Sequence, residues 1–298
     1  MRRPRTSGVL AILRALLVAV FGATAAVGVF LAAAPSANAV VGGQPDGGQH
    51  PNVGLVAGLD SQGQGVYSCT GTLVDPTTVL TAAHCVGGEN FGTPIAQIVV
   101  DFDDHLRQLP SGGYILDRYV AGTGEFHPLF QDRSSSGGAG GAADFLANSA
   151  YDIGILKLDK RADKVFPGIQ PAPITGFGTN EQYRTGTTKN LVLQVGYGVQ
   201  RAGPPGQPGA YFIDYTRNQA LIQPKKLTDT LLFLGSNPND SLGYGAPCSG
   251  DSGSPILRDG TIISLFTFSN GVCKNNGGGP RLDSGPARDF LRSRGLLR

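Results

Sequence analysis

The 298-residue chain carries 15% charged residues and a formal net charge of only +2, so it has no basic surplus of the kind that marks nucleic-acid or anionic-lipid partners. The length suits one large all-β domain or two small ones with sizeable cores. Four cysteines admit disulfides if the chain is exported.

Residues 1–39 read as a secretory signal peptide. Arg2, Arg3 and Arg5 open it, an apolar run follows to Ala34, and Ala37 and Ala39 occupy the small-residue positions before a cut. Cleavage after Ala39 releases a chain beginning at Val40. It also removes Arg2, Arg3, Arg5 and Arg14, which turns the net charge negative. The expected protein is therefore secreted and extracellular, with no membrane segment left after cleavage.

Beyond the leader, short β-type runs recur between Gly, Pro, Asn and Asp turns. They include QIVVDF (97–102), YILDRYV (114–120), IGILKL (153–158) and NLVLQVGYG (190–198). The stretch 133–143, RSSSGGAGGAA, is low in complexity and reads as an insertion, as does the turn-rich 201–210. Residues 159–176 are polar and punctuated by proline, as a linker between two halves would be. In PILRDGTIISLF (255–266), Asp259-Gly260 between two apolar arms signals a hairpin. Ser284 or Gly285 as cap and Pro286 in the first turn predict a closing helix over about 285–297. Many short strands with few helices predict sandwich or barrel domains.

Cys69, Cys85, Cys248 and Cys273 allow three pairings. The sequence-local pairs would each close a modest loop, worth roughly 3 kcal/mol. Zinc is disfavoured, since no Cys-x-x-Cys occurs and His84 adjoins Cys85 without ligand spacing. Asp101, Asp103 and Asp104 follow a strand and form either a solvated turn or a calcium loop. Asn239-Asp240-Ser241 is a glycosylation sequon if the host glycosylates. His50, His105 and His127 have no matching context and are read as structural.

The octapeptide CSGDSGSP (248–255) would by itself be an ordinary Gly/Ser turn. Its neighbours along the chain change that reading. A nucleophilic serine needs a base, and the base needs an orienting acid. His84 sits in TAAHC, Asp152 in YDIGILKL and Ser252 in GDSGS, in the order His, Asp, Ser. That order excludes the subtilisin and α/β-hydrolase arrangements.

With VVGG (40–43), SCTGTLV (68–74), TAAHC (81–85), DIGILKL (152–158) and CSGDSGSP in sequence, the chain resembles the trypsin/chymotrypsin-like serine peptidases over nearly its whole length after the leader. Weaker echoes are EFHPLF (125–130), VGYG (195–198) and GPRLD (279–283). The resemblance implies two six-stranded antiparallel β-barrels of chymotrypsin type, about 40–160 and 176–282, with the active site between them. It implies a triad of His84, Asp152 and Ser252, and an oxyanion hole from the N–H groups of Gly250 and Ser252. It implies an ion pair between a freed Val40 amine and Asp251. It places Ala246 and Pro247 at the pocket floor, Ser264, Leu265 and Phe266 along the substrate strand, and Cys248 tied to Cys273.

Trypsin-like members carry aspartate where Ala246 stands, so preference for arginine or lysine is not expected. Leu265 and Phe266 on the pocket wall would shorten it and favour small or medium apolar residues. Ser254 replaces a common glycine without expected harm. The few disulfides and Gly-rich insertions are similar to bacterial members. No cofactor or metal is implied, the partner is a protein or peptide substrate, and the expected state is a monomer. A second reading is a catalytically silent binding or adhesion protein on the same fold, with Leu265 and Phe266 occluding the cleft.

Overall fold

A computed structural model describes residues 40–87, 93–111, 113–131, 142–184, 190–202, 211–236, 244–269, 273 and 275–297. The leader, the sequon and most of the two expected insertions lie outside the described residues. So do the segments 88–92 and 185–189.

The first half of the chain forms β1 (Gln44–Pro45), β2 (Val53–Leu59), β3 (Gly65–Asp75), β4 (Thr78–Thr81) and β5 (Gln97–Asp101). There follow β6 (Arg107–Gln108), β7 (Tyr114–Ile115), β8 (Val120–Phe126), the helix α1 (Ala142–Ser149) and β9 (Gly154–Leu158). Strands β2-β3-β4-β9-β8-β5 close into an antiparallel barrel. Val56, Leu73, Val79, Val100, Val120 and Leu156 fill it. The run 114–120 does not form one strand. Tyr114–Ile115 pairs with β6, while Val120 begins the barrel strand β8.

The second half contributes β10 (Val192–Gly196), β11 (Arg201–Ala202), β12 (Tyr211–Phe212), β13 (Asn218–Leu227) and β14 (Leu231–Ser236). It ends with β15 (Pro255–Arg258), β16 (Thr261–Leu265), β17 (Phe268–Ser269), β18 (Asn275–Pro280) and the helix α2 (Gly285–Ser293). The sheet runs β16-β15-β10-β13-β14-β18-β17, with β1 paired to β13. The Leu282 N–H donates to the Ile263 carbonyl at 3.1 Å and the Ser264 hydroxyl to that of Pro280 at 2.9 Å, curling β16 back towards β18. Ile222, Leu232, Leu234, Ile256, Ile263 and Phe266 pack inside this half-barrel.

The hairpin at Asp259-Gly260 forms with both residues at positive φ, 50° and 73°, the geometry of a two-residue turn matched to strand twist. α2 begins where expected and stops at Ser293, because Gly295 turns left-handed at φ 73°. Among the described residues these are the two α-helices, and none is long and apolar enough to cross a membrane.

The halves share a third core. Leu55, Leu80, Ile153 and Ile155 from the first barrel meet Val195, Tyr197, Leu257 and Leu265 from the second, with Phe290 and Leu291 of α2. A buried arginine spans the same junction. Arg217 is 2% exposed and donates to Asp46, to the carbonyls of Val53 and Phe102, and to the Tyr197 hydroxyl. It also pairs with Asp104 at 2.9 Å. Asp46 in turn accepts from His50, ring to carboxylate at 2.5 Å, so His50 belongs to a structural network. His127 lies against the Tyr151 and Phe290 rings.

Candidate active site

His84 sits in a single 3-10 turn, Ala83–Cys85, directly after β4. Cys85 is joined to Cys69 on β3, which fixes that turn against the barrel wall. Asp152 stands just before β9, the strand paired with β4, so barrel closure itself brings acid and base together. The His84 Nδ1 lies 2.8 Å from Asp152 Oδ2, and the His84 backbone N–H donates to Oδ1 at 3.1 Å. Asp152 is nearly buried while about a quarter of the imidazole is exposed, leaving the other ring nitrogen directed away from the acid.

Ser252 arrives from the second half. Its carbonyl accepts from the Thr70 N–H at 2.8 Å and lies 3.7 Å from Cys85 Sγ. Those contacts set the serine beside the residue that follows His84. The loop around it is tight. The Asp251 N–H donates to the Cys248 carbonyl, Ser254 N–H to that of Asp251, and Gly253 N–H to that of Phe266. Gly253 holds φ 80°, and a Cβ there would stand 2.1 Å from the Thr81 hydroxyl and 2.4 Å from the Thr70 carbonyl. Gly253→Ala is therefore expected to destabilise the fold by about 3 kcal/mol or more, measured by denaturant unfolding. A loss under 1 kcal/mol would contradict this.

Gly250 holds φ 91°, and a Cβ there would come 2.9 Å from the Gly198 Cα. Its carbonyl accepts from Thr70 Oγ1 at 2.9 Å, which fixes the orientation of the turn. Cys248 is bonded to Cys273, so of the three possible pairings the one that joins sequence-local cysteines is formed.

Asp251 is fully buried. Its oxygens accept the N–H groups of Gly198 and Cys248 at 2.9 Å each. Burial pushes its carboxyl up to about 7 against the two N–H donors that hold it down. Val40 is also fully buried, in the second-half core with Ile222 and Phe266. Val41 exchanges two backbone hydrogen bonds with Ala246, at 2.9 and 2.8 Å. The amino-terminal segment thus lies along the strand that leads into the serine loop.

Ala246 is fully buried with Val41, Val199, Cys248 and Cys273 in an apolar cluster, and Pro247 is buried beside it. Ser264, Leu265 and Phe266 are not placed as expected. All three are at most 2% exposed. Leu265 packs in the shared core and Phe266 inside the second half, so neither side chain can wall a pocket. Beyond Thr267, which is also buried, the chain reaches partly accessible surface at Phe268 and Ser269. The polar–aromatic–polar TFS following the apolar ISLF is the signal in the sequence. Thr267 Oγ1 is buried without a hydrogen bond, and the Phe268 ring meets Phe145 of α1 at 5.6 Å and Phe233 at 5.9 Å.

The acidic turn shows no shared ligand set. Asp103 pairs with Arg118, Asp104 with Arg217, and burial raises the carboxyl of Asp101 to about 7. Among the described residues one group has metal-like spacing, Cys69, His84 and Cys85, and its sulfurs are bonded to each other.

The family model described as Trypsin matches residues 40–281. The chain belongs to the trypsin family. Among curated trypsin-family relatives, the kallikrein 1-related peptidase b27 of Mus musculus is 26% identical over 70% of this chain and 72% of its own. The alkaline trypsin B of Manduca sexta is 26% identical over 74% of this chain and 76% of its own. Solved structures share the fold at low identity. One described as HL collagenase superposes with a TM-score of 0.58 at 16% identity, over 87% of this chain and all of that one. Human heparin binding protein does so with 0.58 at 18%, over 85% and 96%. As a trypsin-family chain, this protein is of serine-peptidase type, and its partners are of the protein or peptide class.

Proposed function

We propose that this chain is a secreted serine endopeptidase that cleaves peptide bonds through an acyl-enzyme. The observation that carries the reading is the two-point hold of Asp152 on His84, at the ring and at the backbone, beside the loop of Ser252. In the proposed reaction Ser252 Oγ attacks the scissile carbonyl carbon while His84 takes its proton. Asp152 keeps Nδ1 protonated and stabilises the imidazolium. The N–H groups of Gly250 and Ser252 face the developing oxyanion, where one such donor is typically worth about 3–4 kcal/mol. His84 then donates its proton to the leaving amine, and water repeats the sequence on the ester.

Cleavage after Ala39 frees the Val40 amine, which pairs with Asp251; the exported chain then acts as a monomer without cofactor. Ala246 supplies no carboxylate and lies in an apolar cluster, which favours small or medium apolar residues at the scissile carbonyl, with the wall formed by Thr267 to Ser269. The burial of Leu265 and Phe266 supports the active reading over a silent, occluded cleft.

A fluorophosphonate incubated with the chain from Val40 should label Ser252, read by peptide mass spectrometry. A peptide library should give cleavage after small or medium apolar residues. No label on the folded protein refutes the peptidase reading, and dominant cleavage after arginine or lysine refutes the specificity.

A further inference from the structure

Thr70 of β3 is fully buried, and each of its polar atoms reaches another element. Its N–H donates to the Ser252 carbonyl at 2.8 Å. Its carbonyl accepts the Thr81 hydroxyl at 2.8 Å, at the end of β4 that leads into the His84 turn. Its own hydroxyl donates to the Gly250 carbonyl at 2.9 Å and accepts the Tyr197 N–H at 3.1 Å. A hydroxyl carries one proton. The Tyr197 N–H can only donate, so it takes a lone pair and the proton is committed to Gly250. One small side chain thus ties the first barrel, the residue after β10 and the serine loop at a single point.

Gly250 depends on such a hold. Glycine has no Cβ to restrict its torsions, and its φ here is 91°. Its conformation is set by the two peptide planes that flank it. On one side the Ser249 carbonyl accepts the Val199 N–H at 2.8 Å. That peptide is trans, so the Gly250 N–H on the same plane points away from Val199. On the other side Thr70 Oγ1 holds the Gly250 carbonyl. The Asp251 N–H on that second plane bonds within the loop, to the Cys248 carbonyl at 3.0 Å, so it is Thr70 that anchors the plane to the first barrel. The hold on Ser249 is backbone to backbone. The hold on Gly250 is a side chain, which a substitution can remove.

We propose that Thr70 is a positioning residue for the oxyanion site, its hydroxyl fixing the Gly250 carbonyl and thereby the aim of the Gly250 N–H. This assignment rests on the peptidase reading and makes transition-state stabilisation depend on a residue outside the serine loop. Its signature is a loss in the transition state with ground-state binding kept. A tilted donor matters most once charge has developed on the substrate oxygen.

The test uses the chain from Val40 with two substitutions. Thr70→Val keeps the shape and removes the hydroxyl, and Thr70→Ser keeps the hydroxyl. Turnover of a peptide amide is measured beside the affinities of two inhibitors of the same sequence. In a peptidyl trifluoromethyl ketone the Ser252 Oγ bonds to the carbonyl carbon, the carbonyl π pair moves to its oxygen and the serine proton passes to His84. A reduced-amide peptide has no carbonyl to place at the site. Thr70→Val is expected to lower kcat and the ketone's affinity by about thirtyfold each, less than the cost of losing an oxyanion donor outright. KM and the affinity of the reduced amide should change by less than about twofold. Thr70→Ser should recover most of both losses. Equal losses for ketone and reduced amide overturn the assignment. So does a kcat that Thr70→Val leaves within about threefold, or a loss in Thr70→Ser as large as in Thr70→Val. Should Thr70→Val not fold, Thr70→Ala is read in its place, and failure of both to fold makes the hydroxyl a structural group and overturns its role in the site. An unsubstituted chain that neither cleaves the amide nor binds the ketone overturns the peptidase reading, and the assignment with it.

Discussion

Ser252→Ala is expected to lower kcat by about ten-thousand- to a million-fold while leaving the fold intact. The size follows from the unit action of nucleophile and base, since removing either disables covalent catalysis and leaves only binding and oxyanion stabilisation. The intact fold follows from the contacts. Ser252 is held through its carbonyl by the Thr70 N–H, and its neighbours through the Asp251, Ser254 and Gly253 amides. None of these bonds uses the hydroxyl. The measurement is turnover of a short chromogenic substrate together with thermal unfolding of both proteins. Retention of more than about a hundredth of the activity would show that another group supplies the nucleophile.

The second large effect concerns the amino terminus. A chain freed at Val40 is expected to be substantially more active near neutral pH than one that keeps residues before it. The cause is Asp251. Its carboxyl moves from an ordinary 3.8 to about 7 because burial penalises the charge. A folded pKa above the unfolded one means that the associated stability is complete below about pH 4. It is lost as the pH rises through about 7. The uncleaved chain should therefore lose thermal stability across that window. In the freed chain a Val40 ammonium facing the carboxylate, as proposed, would offset the loss. Unfolding temperatures of both forms from pH 4 to 8 provide the check, with activity measured alongside. Parallel profiles would sink the ion-pair assignment.

Much of the candidate site was legible because its constraints are local. His84 is pinned by the cysteine beside it, and Asp152 directly precedes an apolar strand. Ser252 sits in a loop whose glycines answer to positive φ. The Asp259-Gly260 turn could be read for the same reason. What could not be read depends on register and on distant partners. β16 is buried on both faces, so no alternation in the sequence marks which of its side chains would face a cleft. Adjacent Leu265 and Phe266 both lie inside, and Phe268 beyond them is partly exposed. The helix α1 follows a Gly- and Ala-rich stretch with no clear cap, and its place comes from packing of Phe145 on Phe268 and from the Asn148 side chain, which exchanges hydrogen bonds with the Gln131 backbone. Arg217, in the polar string YTRN, carries no local signal of burial, because Asp46, Val53, Phe102 and Asp104 accept from it across more than a hundred residues of chain.

That arginine also sets how the molecule comes apart. Its guanidinium is shared among Asp46, Asp104, two carbonyls of the first barrel and a hydroxyl of the second. Parting the barrels would break its contacts to Asp104 and to the Val53 and Phe102 carbonyls in the same step that opens the shared apolar core. The two barrels are therefore expected to behave as one calorimetric unit, losing structure together in a single heat-absorption peak.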